Sequence, residues 1–256
     1  MANPRHLTTP AVYILFYAVC WLFSCQPSAT ITVFMIGDST IANKDTLDGN
    51  EEHGWGQVLQ TYFDPSKVRI ANHAMNGRSS KSFVNENRWQ VVYDSLQPGD
   101  YVLIQFGHND EKKDRDALYT DPRTTYPEYL TRFVSETREK GAYPILMTSI
   151  VRRKFDADGQ LTDTHGAYPD AVRKLARDLD VPLVDMEARS RKLVSGLGPD
   201  TSKAIYLWLE KGQSRRHPDG LQDDTHLSRD GALAIARLAV EGIEDLGLPL
   251  ADYLVE

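Results

Sequence analysis

The sequence predicts an α/β protein, a three-layer α/β/α sandwich built on a roughly five-stranded parallel sheet. Two observations carry that prediction: apolar runs with few polar residues recur along the chain, and segments of helical period separate them. Strands covered on both faces lose in–out alternation, and parallel neighbours need a crossover of a dozen or more residues between them. A third observation sets the scale. At 256 residues, 41% apolar and 25% charged, without repeats or low-complexity tracts, the chain suits one domain of ordinary core size.

In order, residues 31–36 form the first strand and residues 55–63 a short amphipathic helix. Val68–Asn72 is a second, weaker strand, followed by a helix around residues 87–96. Pro98-Gly99 turns the chain into the continuous apolar strand 101–106. Residues 126–140 are helical with Gly141 as a C-terminal stop, and residues 144–150 make the next buried strand. Residues 169–179 are a helix opened by proline, 182–184 a short strand, and 228–246 a long closing helix with Ser228 as N-cap.

The first 25 residues read as an export signal outside the fold. Arg5 and His6 precede an apolar stretch over residues 11–23, short for a bilayer span and suited to a signal core. Its end, Leu22-Phe23-Ser24-Cys25, resembles a bacterial lipobox, with a bulky Phe23 where the pattern prefers a smaller residue. That resemblance implies a lipidated Cys25, a short tether over residues 26–30, one domain over 31–256, and a place in the bacterial periplasm or cell envelope. Any membrane association then runs through the lipid at Cys25. The alternatives are plain secretion, with cleavage after a small residue such as Ala29, and a retained anchor. Cys20 and Cys25 are the only cysteines, so the domain itself holds no disulfide and no thiolate metal site. The net charge of -7 argues against a general nucleic-acid partner, and an anionic substrate would need basic residues gathered locally.

Four islands carry the chemistry: Gly37-Asp38-Ser39, Asn76-Gly77-Arg78-Ser79, Gly107-His108-Asn109-Asp110 and Asp223-Asp224-Thr225-His226. Ser39, Gly77 and Asn109 each lie just past a predicted strand, and ligands of parallel sheets bind at those carboxyl ends. Ser39 is then the nucleophile and His226 the general base. Asp223, three residues earlier on a turn before the closing helix, fixes the imidazole tautomer. Asp224 is one residue off and reads as local turn chemistry. The Ser39 and Gly77 backbone N–H groups and the Asn109 amide make a three-donor oxyanion hole. Singly, each has an ordinary reading: an N-cap serine, a turn glycine, an Asx-turn asparagine, an Asp/His helix cap. Together they make the kit for acyl transfer through a serine ester. The remaining histidines, His73, His108, His165 and His217 among them, lack zinc spacing, so no metal or other cofactor is expected. His108 is read as shaping the loop that carries Asn109.

In this order and spacing, the islands resemble blocks I, II, III and V of the GDSL/SGNH hydrolase superfamily, whose fold is flavodoxin-like. No Gly-x-Ser-x-Gly elbow is present, which argues against a conventional α/β-hydrolase. Finer strings, Gly77-Arg78-Ser79-Ser80-Lys81-Ser82-Phe83, Phe106-Gly107-His108-Asn109-Asp110 and Thr164-His165-Gly166-Ala167-Tyr168-Pro169, resemble the rhamnogalacturonan acetylesterase branch of the carbohydrate esterases. The resemblance implies a serine esterase that removes O-acetyl groups from a pectic polysaccharide containing galacturonate. Arg78, Arg152 and Arg153 are then candidates to meet its carboxylates, with Arg215-Arg216 a further pair, because guanidinium pairs with carboxylate in bidentate geometry. His53 and Trp55 are candidates for a sugar-stacking wall, although Trp55 also suits the core. Three alternatives stand beside this: an esterase for acetylxylan or another O-acetyl glycan, a lipid esterase, and a catalytically silent glycan-binding lipoprotein. The charged loop Glu111-Lys112-Lys113-Asp114-Arg115-Asp116 disfavours the apolar mouth a lipid would need.

Overall fold

The computed structural model describes residues 30–255 apart from residue 48. The expectations for the export signal, Cys25 and the tether up to residue 29 lie outside the described residues. Five strands form one parallel sheet: β1 (Ile31–Gly37), β2 (Val68–Asn72), β3 (Tyr101–Gln105), β4 (Tyr143–Met147) and β5 (Leu183–Val184), in the order β2-β1-β3-β4-β5. The period of two along β1 divides the core. Val33 and Met35 face one apolar cluster, and Phe34 and Ile36 face the other.

Against the first face pack α1 (Trp55–Val58), α6 (Met186–Thr201) and α7 (Arg229–Asp245). Against the second pack α2 (Ser80–Asn85), α3 (Arg88–Ser95), α4 (Thr125–Glu139) and α5 (Tyr168–Asp178). Both faces are thus covered, as a sheet of nearly all-apolar strands requires. The three-layer sandwich is the fold the sequence predicts. Strand order reverses between β1 and β3, and the crevice at their carboxyl ends is the switch point where such sheets bind ligands. Among the described residues no helix is long and apolar enough to cross a membrane.

Several elements depart from the sequence reading. The helix expected over 55–63 is four α-helical residues followed by a 3₁₀ turn, Leu59–Tyr62. β4 ends at Met147 because the next side chains leave the ladder: Thr148 Oγ1 donates to Asp185 and Ser149 Oγ to the Phe106 carbonyl. Helix α6 has no counterpart among the elements the sequence predicts; it kinks at Gly198, whose backbone is non-helical and which Pro199 follows. Also unanticipated is an antiparallel ribbon of β6 (Tyr206–Leu209) and β7 (Leu221–Leu227), whose polar second strand lacks an apolar signature.

The ribbon is clamped where β7 enters α7. Ser228 caps the helix by accepting from Gly231 N–H and donates its hydroxyl to the Ala204 carbonyl. Gly231 allows this approach, because a Cβ there would lie 1.7 Å from the Ile205 carbonyl oxygen. Gly231→Ala is therefore expected to cost about 3 kcal/mol, lowering the melting temperature by roughly 6–12 °C for a chain of this size. An unchanged thermal melt would show that the contact relaxes freely.

Candidate active site

β1 runs out at Gly37 against β3, where a Cβ would stand 2.4 Å from the Gln105 carbonyl oxygen, so glycine alone fits. The chain then turns. The Asp38 carbonyl accepts from Ile41 and Ala42, and its carboxylate accepts the Thr40 N–H and hydroxyl at 3.0 and 2.9 Å. Asp38 is fully buried, and burial raises its pKa above the ordinary aspartate value. That turn carries Ser39 over the end of the sheet. Its Oγ–H donates to His226 Nε2 at 3.0 Å, and His226 Nδ1–H donates to Asp223 Oδ2 at 2.7 Å.

Asp223 and His226 lie on β7 rather than on the turn the sequence suggested. In a regular strand, residues three apart point to opposite faces. Here the step from Tyr206 to Leu207 on β6 is matched by Leu227 and Asp223 on β7, so residues 224–226 bulge out of the ladder. Inside the bulge Asp223 Oδ1 accepts the backbone N–H groups of Thr225 (2.7 Å) and His226 (2.9 Å), which turns the imidazole back over the carboxylate. Burial works against ionisation of Asp223, but its bonds from the His226 ring and backbone prevail and hold its pKa at about 2. Burial likewise lowers the His226 pKa. The Asp223 hydrogen bond and charge, with the charge of Glu52, outweigh it, and the net shift is upward. Asp224 faces elsewhere and accepts from Arg153 (2.8 Å) and Trp208 Nε1 (2.9 Å).

Gly77 sits third in a turn closed by the Arg78 N–H to the Met75 carbonyl, at 3.2 Å. Its φ of +74° selects glycine, while the space around it is open. The loop is held beside β1, because Met75 N–H donates to the Gly37 carbonyl at 3.0 Å. From the end of β3, Asn109 Nδ2 donates to the Arg78 carbonyl (3.0 Å) and Oδ1 accepts from Lys112 Nζ (2.7 Å). One amide N–H of Asn109 has no acceptor among the described residues. The N–H groups of Ser39 and Gly77 meet no acceptor among the described residues. Ser39, Gly77, Asn109, Asp223 and His226 thus gather on one edge.

The arginines divide. Arg78 lies at the rim, half-exposed, bonded to Glu86 (3.0 Å) and the Asn76 carbonyl (2.8 Å). Arg152 pairs with Glu111 at 2.5 Å and reaches the Thr164 carbonyl. Arg153 is buried, bonded to Asp224 and the Pro199 carbonyl, with its guanidinium 4.4 Å from the Trp208 ring. Arg215 and Arg216 are exposed in the β6–β7 connection. Trp55 is core, donating from Nε1 to Gln105 (3.1 Å), and His53 bridges to Leu227.

Two supports escaped the sequence reading. Asp110, fully buried, accepts from Ser80 N–H and Oγ–H and from Thr120 Oγ1–H, joining the Gly77 loop to the Asn109 loop. Burial lifts its carboxyl to about 7. The Tyr168 hydroxyl, from α5, donates to the carbonyls of Asp110 and Thr120. Both residues stand inside the quoted motif strings, but nothing local shows what they bind. His108 packs edge-on to His165 with ring centroids 4.6 Å apart, and burial holds its pKa well below the usual histidine value. Among the described residues no three His, Cys, Asp or Glu side chains cluster in a metal-binding arrangement.

Comparison with known proteins bears on the family of the chain. A family model described as the GDSL-like Lipase/Acylhydrolase family matches residues 35–234. The chain is 44% identical over 225 residues to the rhamnogalacturonan acetylesterase RhgT of Bacillus subtilis, covering 88% of this chain and 94% of that one. It is 33% identical over 232 residues to the probable rhamnogalacturonan acetylesterase YesY of the same organism, covering 88% and 97%. The crystal structure of the protein YXIM, also from B. subtilis, superposes with a TM-score of 0.71 at 27% identity, over 88% of this chain and 59% of that longer one. With a family match over most of its length and a relative 44% identical over 225 residues, the chain belongs to the GDSL-like lipase/acylhydrolase family.

Proposed function

We propose that this acylhydrolase is a serine esterase that removes O-acetyl groups from rhamnogalacturonan. The observation that carries the chemistry is the hydrogen-bonded series Ser39–His226–Asp223 beside three N–H donors from the ends of β1, β2 and β3. The substrate rests on the likeness to RhgT. Ser39 Oγ attacks the acetyl carbonyl as His226 Nε2 takes its proton, and Asp223 stabilises the imidazolium that forms. The oxyanion is met by the N–H groups of Ser39, Gly77 and Asn109, each worth roughly 10²–10³ in kcat. The imidazolium then protonates the departing sugar alcohol, and water releases acetate. Among Arg78, Arg152 and Arg153, it is Arg78 at the rim that would meet a galacturonate carboxylate, through the guanidinium nitrogen outside its bonds to Glu86 and Asn76; Arg152 and Arg153 support the edge through the loops they tie.

Acetate release from acetylated rhamnogalacturonan and acetylated xylan, each before and after alkaline deacetylation, tests the substrate. Faster release from xylan would overturn it. The base must be neutral to work, and its pKa is raised above 6.5, so the acid limb of kcat/KM should lie above pH 6.5. A pH–rate profile for 4-nitrophenyl acetate checks this, and a limb below 6.5 would contradict it. Export and lipidation at Cys25 are part of the same proposal and rest on the sequence. The mass of the N-terminal peptide distinguishes a lipidated Cys25 from cleavage after Ala29.

A further inference from the structure

Beside His226 lies a charged cluster to which the steps above give no role beyond the pull of Glu52 on the imidazole charge. Glu52 Oε1 stands 3.9 Å from His226 Nε2, the nitrogen that receives the Ser39 hydroxyl. Lys44 Nζ grips the same Glu52 oxygen at 2.7 Å and donates to Asn76 Oδ1 at 2.6 Å, next to the Gly77 turn. Lysines are almost never fully buried unless paired, yet the Lys44 side chain is only 2% exposed. Its own backbone is fixed too, since Gln57 accepts its N–H at 2.9 Å and donates to its carbonyl at 3.3 Å. The result is a carboxylate held rigidly in place, partly open to solvent and aimed at the working nitrogen of the base.

A separation of 3.9 Å is too long for a direct hydrogen bond and suits one bridging oxygen, about 2.8 Å from each atom. Water has two protons to donate across that gap. The oxygen of a departing sugar alcohol has one, so the two-acceptor arrangement favours the second half of the reaction over the first.

We propose that Glu52, held by Lys44, positions the hydrolytic water that deacylates Ser39, an assignment that rests on the serine-esterase reading. The water donates one O–H to His226 Nε2 and the other to Glu52 Oε1. Its oxygen bonds to the acyl carbon as His226 takes the first proton, and the carbonyl electron pair moves onto the oxyanion. When that pair returns, the bond from carbon to Ser39 Oγ breaks, Oγ takes the proton from His226, and acetic acid leaves. Glu52 gains and loses nothing; it orients the water.

The test is rapid mixing of the protein with 4-nitrophenyl acetate. Glu52→Ala is expected to give a burst of about one nitrophenolate per protein, with kcat and KM falling together, kcat by roughly 10²-fold, while kcat/KM stays within a few-fold. Mass spectrometry should find acetyl on the Ser39 peptide during turnover. Glu52→Gln, which keeps an acceptor oxygen, should recover part of kcat, and Lys44→Met should show a weaker form of the same burst. Should Glu52→Ala fail to fold, the Gln and Lys44 variants decide the matter. A fall in kcat/KM without a burst, or unchanged kcat, would overturn the assignment. So would an effect confined to the acetylated glycan, which would make Glu52 a sugar-binding group. Ser39→Ala in the same assay separates the two ideas: an inactive Ser39 variant beside burst-free Glu52 variants rejects only the water assignment, whereas an active one rejects the serine reading itself.

Discussion

Ser39→Ala is expected to lower kcat for 4-nitrophenyl acetate by roughly 10⁴–10⁶-fold, because nucleophile and base act as a unit and losing one loses most of what both supply. The fold should be indifferent. Among the described residues the hydroxyl's one side-chain hydrogen bond is to His226, and the turn that carries it is held by Asp38 and Thr40. A thermal melt shifted by no more than about 1 kcal/mol would accompany the loss. Wild-type turnover by the alanine variant would remove the serine-ester mechanism altogether.

The second large effect separates two neighbouring aspartates. Asp223→Asn is expected to reduce kcat by roughly 10⁴-fold, since an amide facing His226 Nδ1 offers an N–H and drives the ring to the tautomer that points its own proton at Ser39. Asp224→Asn should leave kcat within a few-fold and lower the melting temperature instead, because Arg153 and Trp208 lose the charged oxygen they share. Parallel kinetics and melts of the two variants check this. Equal kinetic losses in both would show that the bulge does not discriminate between them.

Much of the edge was legible in advance because its parts are local. The apolar runs, the glycine before Ser39 and the Gly77 turn follow from backbone and periodicity rules that act within a few residues. The β6–β7 ribbon was not legible, because a polar strand such as Leu221–Leu227 has no apolar pattern, and its bulge exists only through its register with β6. The arginines show the same limit. Arg78, Arg152 and Arg153 looked alike as cations near loops, yet one lies at the rim, one pairs with Glu111, and one is buried against Trp208 and Asp224. Glu52 and Lys44 sit in a stretch with no motif at all, and their meeting with His226 spans more than 170 residues of chain.

The sandwich, the switch-point edge and the residue types that stand there are thus readable along the chain, since burial period and turn chemistry are written in neighbouring residues. How the other polar groups divide among partners came only with the folded chain: Arg153 and Asp224 paired beside Trp208, Asp110 joining two loops, and Glu52 beside His226. The reason is physical. A charged side chain is claimed by whichever partner the folded chain brings within about 3 Å, and that distance is set by elements far apart in sequence, as Ser39 and His226, 187 residues apart, already are.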